Sequence, residues 1–322
     1  MALDAELPLD QESIAAFRGS FRKSKHIVIV AGAGLSAASG IPTFRDGGGM
    51  WRSLDATALA TPEAFQSNPS VVWQFYHYRR TKALQAKPNA AHEILAKLSV
   101  RKYMRKVAPE AKSFHLVTQN VDRLSVRALQ SFSSRLVPTS SPREINTDTK
   151  SDIPATCQPP ITFPNSILEM HGRICDVQCT QCDFHQEDLS DPLCPALGAA
   201  DASFQDYHDA GSKETNIPTE QLPRCPVCGA LARPGVVWFG EKPYHLDEIN
   251  SIVYKADMCL VIGTSSTVRI NHSLCGASTL RTAVFVVAVF NLDPSEKDER
   301  ADFVFRGPCE TVLPEIFPEL VE

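Results

Sequence analysis

The sequence predicts an α/β fold, a Rossmann-like parallel sheet with a small four-cysteine module inserted into it. Three observations support this. His26 to Ala31 (HIVIVA) is an apolar, β-branched run of the length of one buried strand, and it breaks at once into Gly32-Ala33-Gly34 and small residues up to Gly40. Asp257 to Ile262 is a second buried run, and it too breaks into a turn, Gly263-Thr264-Ser265-Ser266. Between these halves lie two cysteine pairs, Cys179-x-x-Cys182 and Cys225-x-x-Cys228.

Composition narrows the classes. A chain of 322 residues buries a full doubly wound domain and spares material for a second module. A net charge of −5 provides no basic field for nucleic acid, and no apolar run reaches the length of a membrane span. Ten cysteines with no preceding signal peptide, four of them in C-x-x-C pairs, indicate metal in a reducing compartment.

Along the chain, Asp10 caps a first helix with Ile14, Phe17 and Phe21 on one face. The strand at His26 then opens into glycines, which permit tight turning and close backbone approach. The following helix would aim its free N–H groups at an anion, although a plain strand-turn-helix has the same pattern. Ile41 to Gly49 reads as a glycine-rich loop, and Thr61-Pro62-Glu63 starts a helix with Pro at its first position. Pro69 to Lys87 is a longer helix on which Tyr76 and Arg79, three apart, share a face. Taken alone it is an amphipathic helix with an aromatic inside and an arginine outside.

Phe114 to Thr118 is a strand, with Gln119-Asn120-Val121-Asp122 at its C-terminal end, either turn formers or ligand groups. Ser125 to Phe132 keeps a helical turn or two, and residues 133–164 have the Ser/Thr/Pro-rich composition of a disordered insertion. Ser166 to Met170 is a strand ending in His171, structural or a general base. The cysteine pairs supply four thiolates for a tetrahedral structural Zn²⁺, two redox pairs being the other reading; Cys194 breaks the spacing and stays outside the site. The interval from Asp191 to Pro223 shows little periodicity. Leu231 to Glu241 enters a turn from an edge strand, Tyr244 to Ala256 is helical, and Thr282 to Phe290 and Asp302 to Arg306 are the last strands.

The string GAGLSAASGIPTFRD, with TQNVD, LEMHG, VVWFGE and GTSS in order after it, resembles the sirtuins, the NAD-dependent protein-lysine deacylases. The resemblance runs from about Phe21 to Phe317. It implies a Rossmann-like NAD-binding part at 26–132 and 229–317, a zinc module at 172–228, and a catalytic domain spanning 10–322. It also implies that NAD+ is bound by Gly32, Ala33, Gly34, Ser36, Ala37, Gly40, Thr43, Phe44, Arg45, Trp51, Gln119, Asn120, Val121, Asp122, Gly263, Thr264, Ser265, Asn291, Leu292, Asp293 and Cys309. Taken alone, Cys309 reads as a small buried hydrophobe. His171 would be the general base, with Asn120 and Asp122 beside it.

Tyr76-x-x-Arg79 resembles the class III branch, where the pair grips the distal carboxylate of succinyl- or malonyl-lysine and Ala56 leaves room for the longer acyl chain. Val236, Val237, Trp238, Phe239, Gly240 and Glu241 would pair with the substrate peptide by β-augmentation. The implied reaction has the acyl oxygen attack C1′ of the nicotinamide ribose and expel nicotinamide. His171 then takes a ribose proton, the 2′-hydroxyl attacks the imidate carbon, and water completes the release of free lysine and O-acyl-ADP-ribose.

Two departures stand out. The family's His-x-x-Ala-Gly helix is replaced after Leu124 by SVRALQS, and Tyr-Pro-Ala after Gly263-Thr264-Ser265-Ser266 by Thr267-Val268-Arg269. They keep open a catalytically silent binder of NAD or acyl-lysine, and a mono-ADP-ribosyltransferase is the third reading. The expected partners are acyl-lysine proteins, with no nucleic acid and no membrane, and the chain is expected to be a monomer. The N-terminal MALDAELPLDQES is acidic where a mitochondrial presequence is Arg-rich, so cytosol or nucleus is expected, the branch implying mitochondrion as the alternative.

Overall fold

The computed structural model describes residues 9–43, 50–52, 54–136, 162–164, 166–205, 215–264, 285–295 and 298–321. Helix α1 (Gln11–Lys23) starts where Asp10 accepts hydrogen bonds from the N–H groups of Glu12 and Ser13, and it buries Ile14, Phe17 and Phe21. Strand β1 (His26–Ala31) follows, then a 3-10 helix at Ala33–Ser39 that is tighter than the α-helix expected after the glycines. A short hairpin, β2 (Met50–Trp51) with β3 (Leu54–Asp55), leads into α2 (Ala56–Leu59), α3 (Pro62–Ser67) and α4 (Pro69–Gln85). Asp55, Thr61 and Asn68 cap these three helices in turn.

Helices α5 (Ala90–Leu98) and α6 (Arg101–Val107) went unforeseen. The signal for α5 is Asn89 ahead of Ile94, Leu95 and Leu98. Asn89 forms a capping box with His92, a residue type outside the usual Glu/Gln. After β4 (Ser113–Thr118), α7 runs from Leu124 to Leu136, longer than the turn or two expected and past the expected start of the insertion at 133. The reason is a spaced apolar face: Ala128 and Phe132, with Leu129 and Leu136 beside them, pack on Ala96 and Val100 of α5 and its C-terminal turn. At the other end of that segment Thr162 bridges to Val100 and Phe163 is buried in the core; residues 137–161 lie outside the described set.

Strand β5 (Ile167–Glu169) then leads to β6 (Gly172–Cys179), β7 (His185–Glu187), α8 (Pro195–Gln205) and β8 (Ala232–Val236). Helix α8 occupies the interval expected to lack periodicity. The chain closes with α9 (Leu246–Lys255), β9 (Met258–Ile262), β10 (Val286–Asn291), β11 (Phe303–Arg306) and α10 (Cys309–Ile316).

Six strands form one parallel sheet in the order β11-β10-β9-β1-β4-β5. The chain winds outward from β1 in both directions, so the sheet reverses beside β1. Ligands of open α/β sheets bind at the C-terminal strand ends near such a switch point. Buried faces on both sides explain the near-continuous apolar strands. A ring of Phe17, Phe21, Phe290, Phe305 and Phe317 anchors α1 and the C-terminal segment on one face. The second sheet, β7-β6-β8, is antiparallel and shares its own core with α4 and α8, including Trp73, Phe75, Tyr76, Leu197 and Trp238. Among the described residues no helix is long and apolar enough to cross a membrane.

Candidate functional site

At the switch point three glycines interlock. Gly32 N–H donates to Ile262 O at 2.9 Å and Gly34 N–H to Gly263 O at 2.8 Å. A Cβ on Gly34 would meet Gly263 Cα at 2.8 Å, and one on Gly263, whose φ is +58°, would meet Leu35 N at 2.3 Å. The glycines thus bring the first and second halves of the sheet into backbone contact. Ala33 is half-buried and Ala37 exposed at this rim, Gly40 closes the 3-10 helix at φ +82°, and Thr43 is half-buried just beyond it. Phe44, Arg45 and Ser265 lie outside the described residues.

Strand β4 delivers the polar string. Asn120 Nδ2 donates to Gly32 O at 3.0 Å and to Ser36 Oγ at 3.1 Å, tying β4's end to the glycine turn. Asp122 is buried, and its carboxylate accepts the Leu124 N–H at 2.8 Å, opening α7. Burial raises its pKa, opposed by that N–H, by Ser36 and by the cations Arg79 and Arg127. Val121 O receives the Ile174 N–H at 2.9 Å. The Gln119 side chain accepts from Thr264 Oγ1 at 3.2 Å, while its Nε2 is buried with no partner among the described residues. A buried amide with no partner at a strand end would be satisfied by an acceptor on a bound ligand, and the oxygens of a nucleotide ribose are of that kind.

His171 follows β5. Its Nδ1 lies 3.0 Å from Gln119 O, and since a carbonyl only accepts, Nδ1 carries the proton and Nε2 the lone pair in the neutral ring. Burial holds the imidazole pKa below its usual 6.5, partly opposed by that carbonyl. The ring is therefore a neutral base at physiological pH.

In the core of the small sheet, α4 presents Tyr76, and Ala56 at the start of α2 is fully buried in the same cluster. Trp51, buried, packs edge-on against Phe75, and the Arg79 guanidinium lies 5.6 Å from the Phe75 ring. Burial lowers the Arg79 pKa while Tyr76 and Asp122 support its charge. Tyr76 Oη accepts the indole N–H of Trp238 at 3.1 Å, and burial pushes the phenol up to about 12.

At the end of β8, Val236 is buried, and just past it the N–H of Val237 donates to His171 O at 2.8 Å, so the candidate peptide segment is stitched to the candidate base. Phe239 is exposed and Gly240 has φ +91°. Glu241 receives Arg233 through both oxygens at 2.6 and 2.9 Å and the Trp238 N–H at 2.8 Å. Burial would raise its pKa, but these donors hold it below the usual range.

On the far side of the switch point, Asn291 is buried and donates to Thr264 O at 3.4 Å. Leu292 is exposed, Asp293 O accepts from Arg306, and Cys309 opens α10 with its thiol buried and pushed up to about 12.

In the small sheet, the sulfurs of Cys179, Cys182, Cys225 and Cys228 lie within 4.8 Å of one another, with Cys179–Cys228 at 3.4 Å and Cys182–Cys225 at 3.6 Å. A tetrahedral zinc with bonds of about 2.3 Å spaces its sulfurs by about 3.8 Å, so the donor set fits. The N–H groups of Gln181 and Cys182 point at Cys179 Sγ and that of Val227 at Cys225 Sγ, as thiolate knuckles require. Four protein ligands leave no open position. Cys194 is elsewhere, its thiol against Gln221 O.

A doubly wound sheet with a polar cradle at its switch point, a neutral imidazole beside it and a four-cysteine module against it defines a nucleotide-binding α/β protein. Residues 32–133 and 162–270 match the Sir2 family, and the chain belongs to it. Dog mitochondrial NAD-dependent protein deacylase sirtuin-5 is 39% identical over 94% of this chain and 84% of its own. The Pyrococcus furiosus NAD-dependent protein deacylase is 34% identical over 92% of this chain and 94% of its own. A solved Sir2 homolog–NAD complex superposes with a TM-score of 0.67 at 30% identity, covering 97% and 94% of the two chains.

Sirtuin-5 of dog and Xenopus tropicalis is named mitochondrial, which overturns the location in cytosol or nucleus expected from the acidic N-terminal stretch. Two of the acids there have a structural role: Asp10 caps α1 and Glu12 lies in its first turn, so that part of the composition marks a helix start.

Proposed function

We propose that this chain is an NAD-dependent protein-lysine deacylase that prefers succinyl- and malonyl-lysine over acetyl-lysine. The observation that carries the preference is a buried phenol, Tyr76, and a half-buried guanidinium, Arg79, on one face of α4, with fully buried Ala56 in the same core. Such a pair left facing an acetyl methyl is poorly matched, whereas a distal carboxylate takes both donors.

Bound NAD supplies an electrophilic ribose carbon and nicotinamide as leaving group. Gln119 donates its orphan amide to the ribose, and Asn120, fixed by Gly32 O and Ser36, orients the nicotinamide half together with Asp122. His171 Nε2 takes the ribose hydroxyl proton, its other nitrogen locked by Gln119 O. The glycine turns and Asn291 face the phosphates and adenosine, and residues 236–241 receive the peptide backbone. The four cysteines hold a structural zinc. We read the catalytic domain as 10–322, its NAD-binding part as 26–132 with 229–317 and its zinc module as 172–228. The chain acts as a monomer on acyl-lysine proteins, and its net negative charge supports no nucleic-acid role.

The test is the double variant Tyr76→Phe, Arg79→Met. Loss of desuccinylation with retained NAD binding supports the reading, and intact desuccinylation refutes it.

A further inference from the structure

Trp238 lies within the segment assigned to the substrate backbone, yet its indole points elsewhere. Its Nε1–H donates to Tyr76 Oη at 3.1 Å, in a contact buried on both sides. An indole N–H only donates, and a phenol oxygen carries one hydrogen and two acceptor positions. The Tyr76 oxygen therefore accepts from Trp238, and its own hydrogen is directed away from the indole. We propose that Trp238 is a positioning residue for acyl specificity, turning the Tyr76 hydroxyl into a committed donor toward the distal carboxylate of the acyl group. This rests on the carboxylate-clamp reading above and adds to it a residue that touches neither the carboxylate nor the reacting atoms through its indole nitrogen.

The indole is braced to do this. The Arg233 guanidinium stacks 3.5 Å from its ring centroid, Phe65 packs at 5.2 Å, and Glu241 grips both Arg233 and the Trp238 backbone N–H. The orienting chain thus runs from Glu241 through Arg233 and Trp238 to Tyr76, and each link uses a donor or a π-face that the next requires. Burial keeps the phenol protonated across the working pH range, so the donor is always present.

The experiment measures kcat/KM for matched succinyl- and acetyl-lysine peptides with the full chain carrying Trp238→Phe, Tyr76→Phe, or both. Trp238→Phe keeps an aromatic ring and deletes the N–H, so the succinyl-to-acetyl ratio should fall about fivefold to tenfold, the value of one buried hydrogen bond, mostly through the succinyl KM. Once Tyr76→Phe is present, adding Trp238→Phe should change that ratio by less than about twofold, because the oriented hydroxyl is already gone. Equal losses on both peptides would overturn the proposal, since a purely structural role acts on both alike. Independent, multiplying effects of the two substitutions would overturn it too. If Tyr76→Phe alone leaves the ratio unchanged, the carboxylate clamp itself is wrong and this inference falls with it.

Discussion

His171 and Gln119 are joined through a ring nitrogen and a main-chain carbonyl, Nδ1 to O, at 3.0 Å. The bond fixes the tautomer, leaves the lone pair on Nε2 and links β5's end to β4's. Because burial lowers the imidazole pKa, the base is neutral above its shifted value. The acid limb of kcat/KM should therefore fall below pH 6.5, with activity retained as pH rises through 7. A pH–rate profile with its acid limb above pH 7 would contradict this.

The glycine interlock predicts a stability phenotype. Gly263→Ala places a methyl 2.3 Å from Leu35 N on a residue with positive φ, and it should cost on the order of 2–4 kcal/mol and weaken NAD binding. Denaturant unfolding checks the first and calorimetric NAD titration the second. A variant of wild-type stability would show that the two turns yield without cost.

His92 gives a pH-dependent stability. Burial depresses its pKa to about 4 in the folded chain, against the usual 6.5 of a free imidazole. The unfolded chain thus binds the proton more readily between these values. The contribution is fully present above pH 6.5 and is lost as pH falls toward 4, about 3 kcal/mol in all. His92→Gln, which keeps a capping-box residue at N3, should flatten this part of the stability–pH curve. An unchanged slope would show that other groups govern it.

Removing the metal should unfold the small module. Metal analysis should find one zinc per chain, and a strong chelator should lower the melting temperature, as should Cys225→Ser at the buried ligand. Indifference to both would mean that the four thiols merely sit together.

Most of the candidate site was legible in the sequence because its residues sit at strand ends, where an apolar run stops and polar or glycine residues begin. Gln119, Asn120, His171 and Gly263 are all of this kind. The cysteine pairs were legible from spacing alone. What the sequence did not reveal depends on partners distant along the chain. Trp238 reads as one apolar residue of a strand exit until α4 brings Tyr76 beneath it. His92 lies in an unforeseen helix, and only the fold places its ring beside Ser36. Helix α7 was underestimated because its apolar residues at 128, 129, 132 and 136, set among serines and arginines, gain their meaning only from α5.

The most direct test of the central claim is nicotinamide release from NAD with matched succinyl-, malonyl- and acetyl-lysine peptides, run beside a His171→Tyr control. The account predicts turnover strongest on the two acidic acyl groups and abolished in the control. Turnover strongest on acetyl-lysine, or absent from all three with NAD still bound, would contradict it.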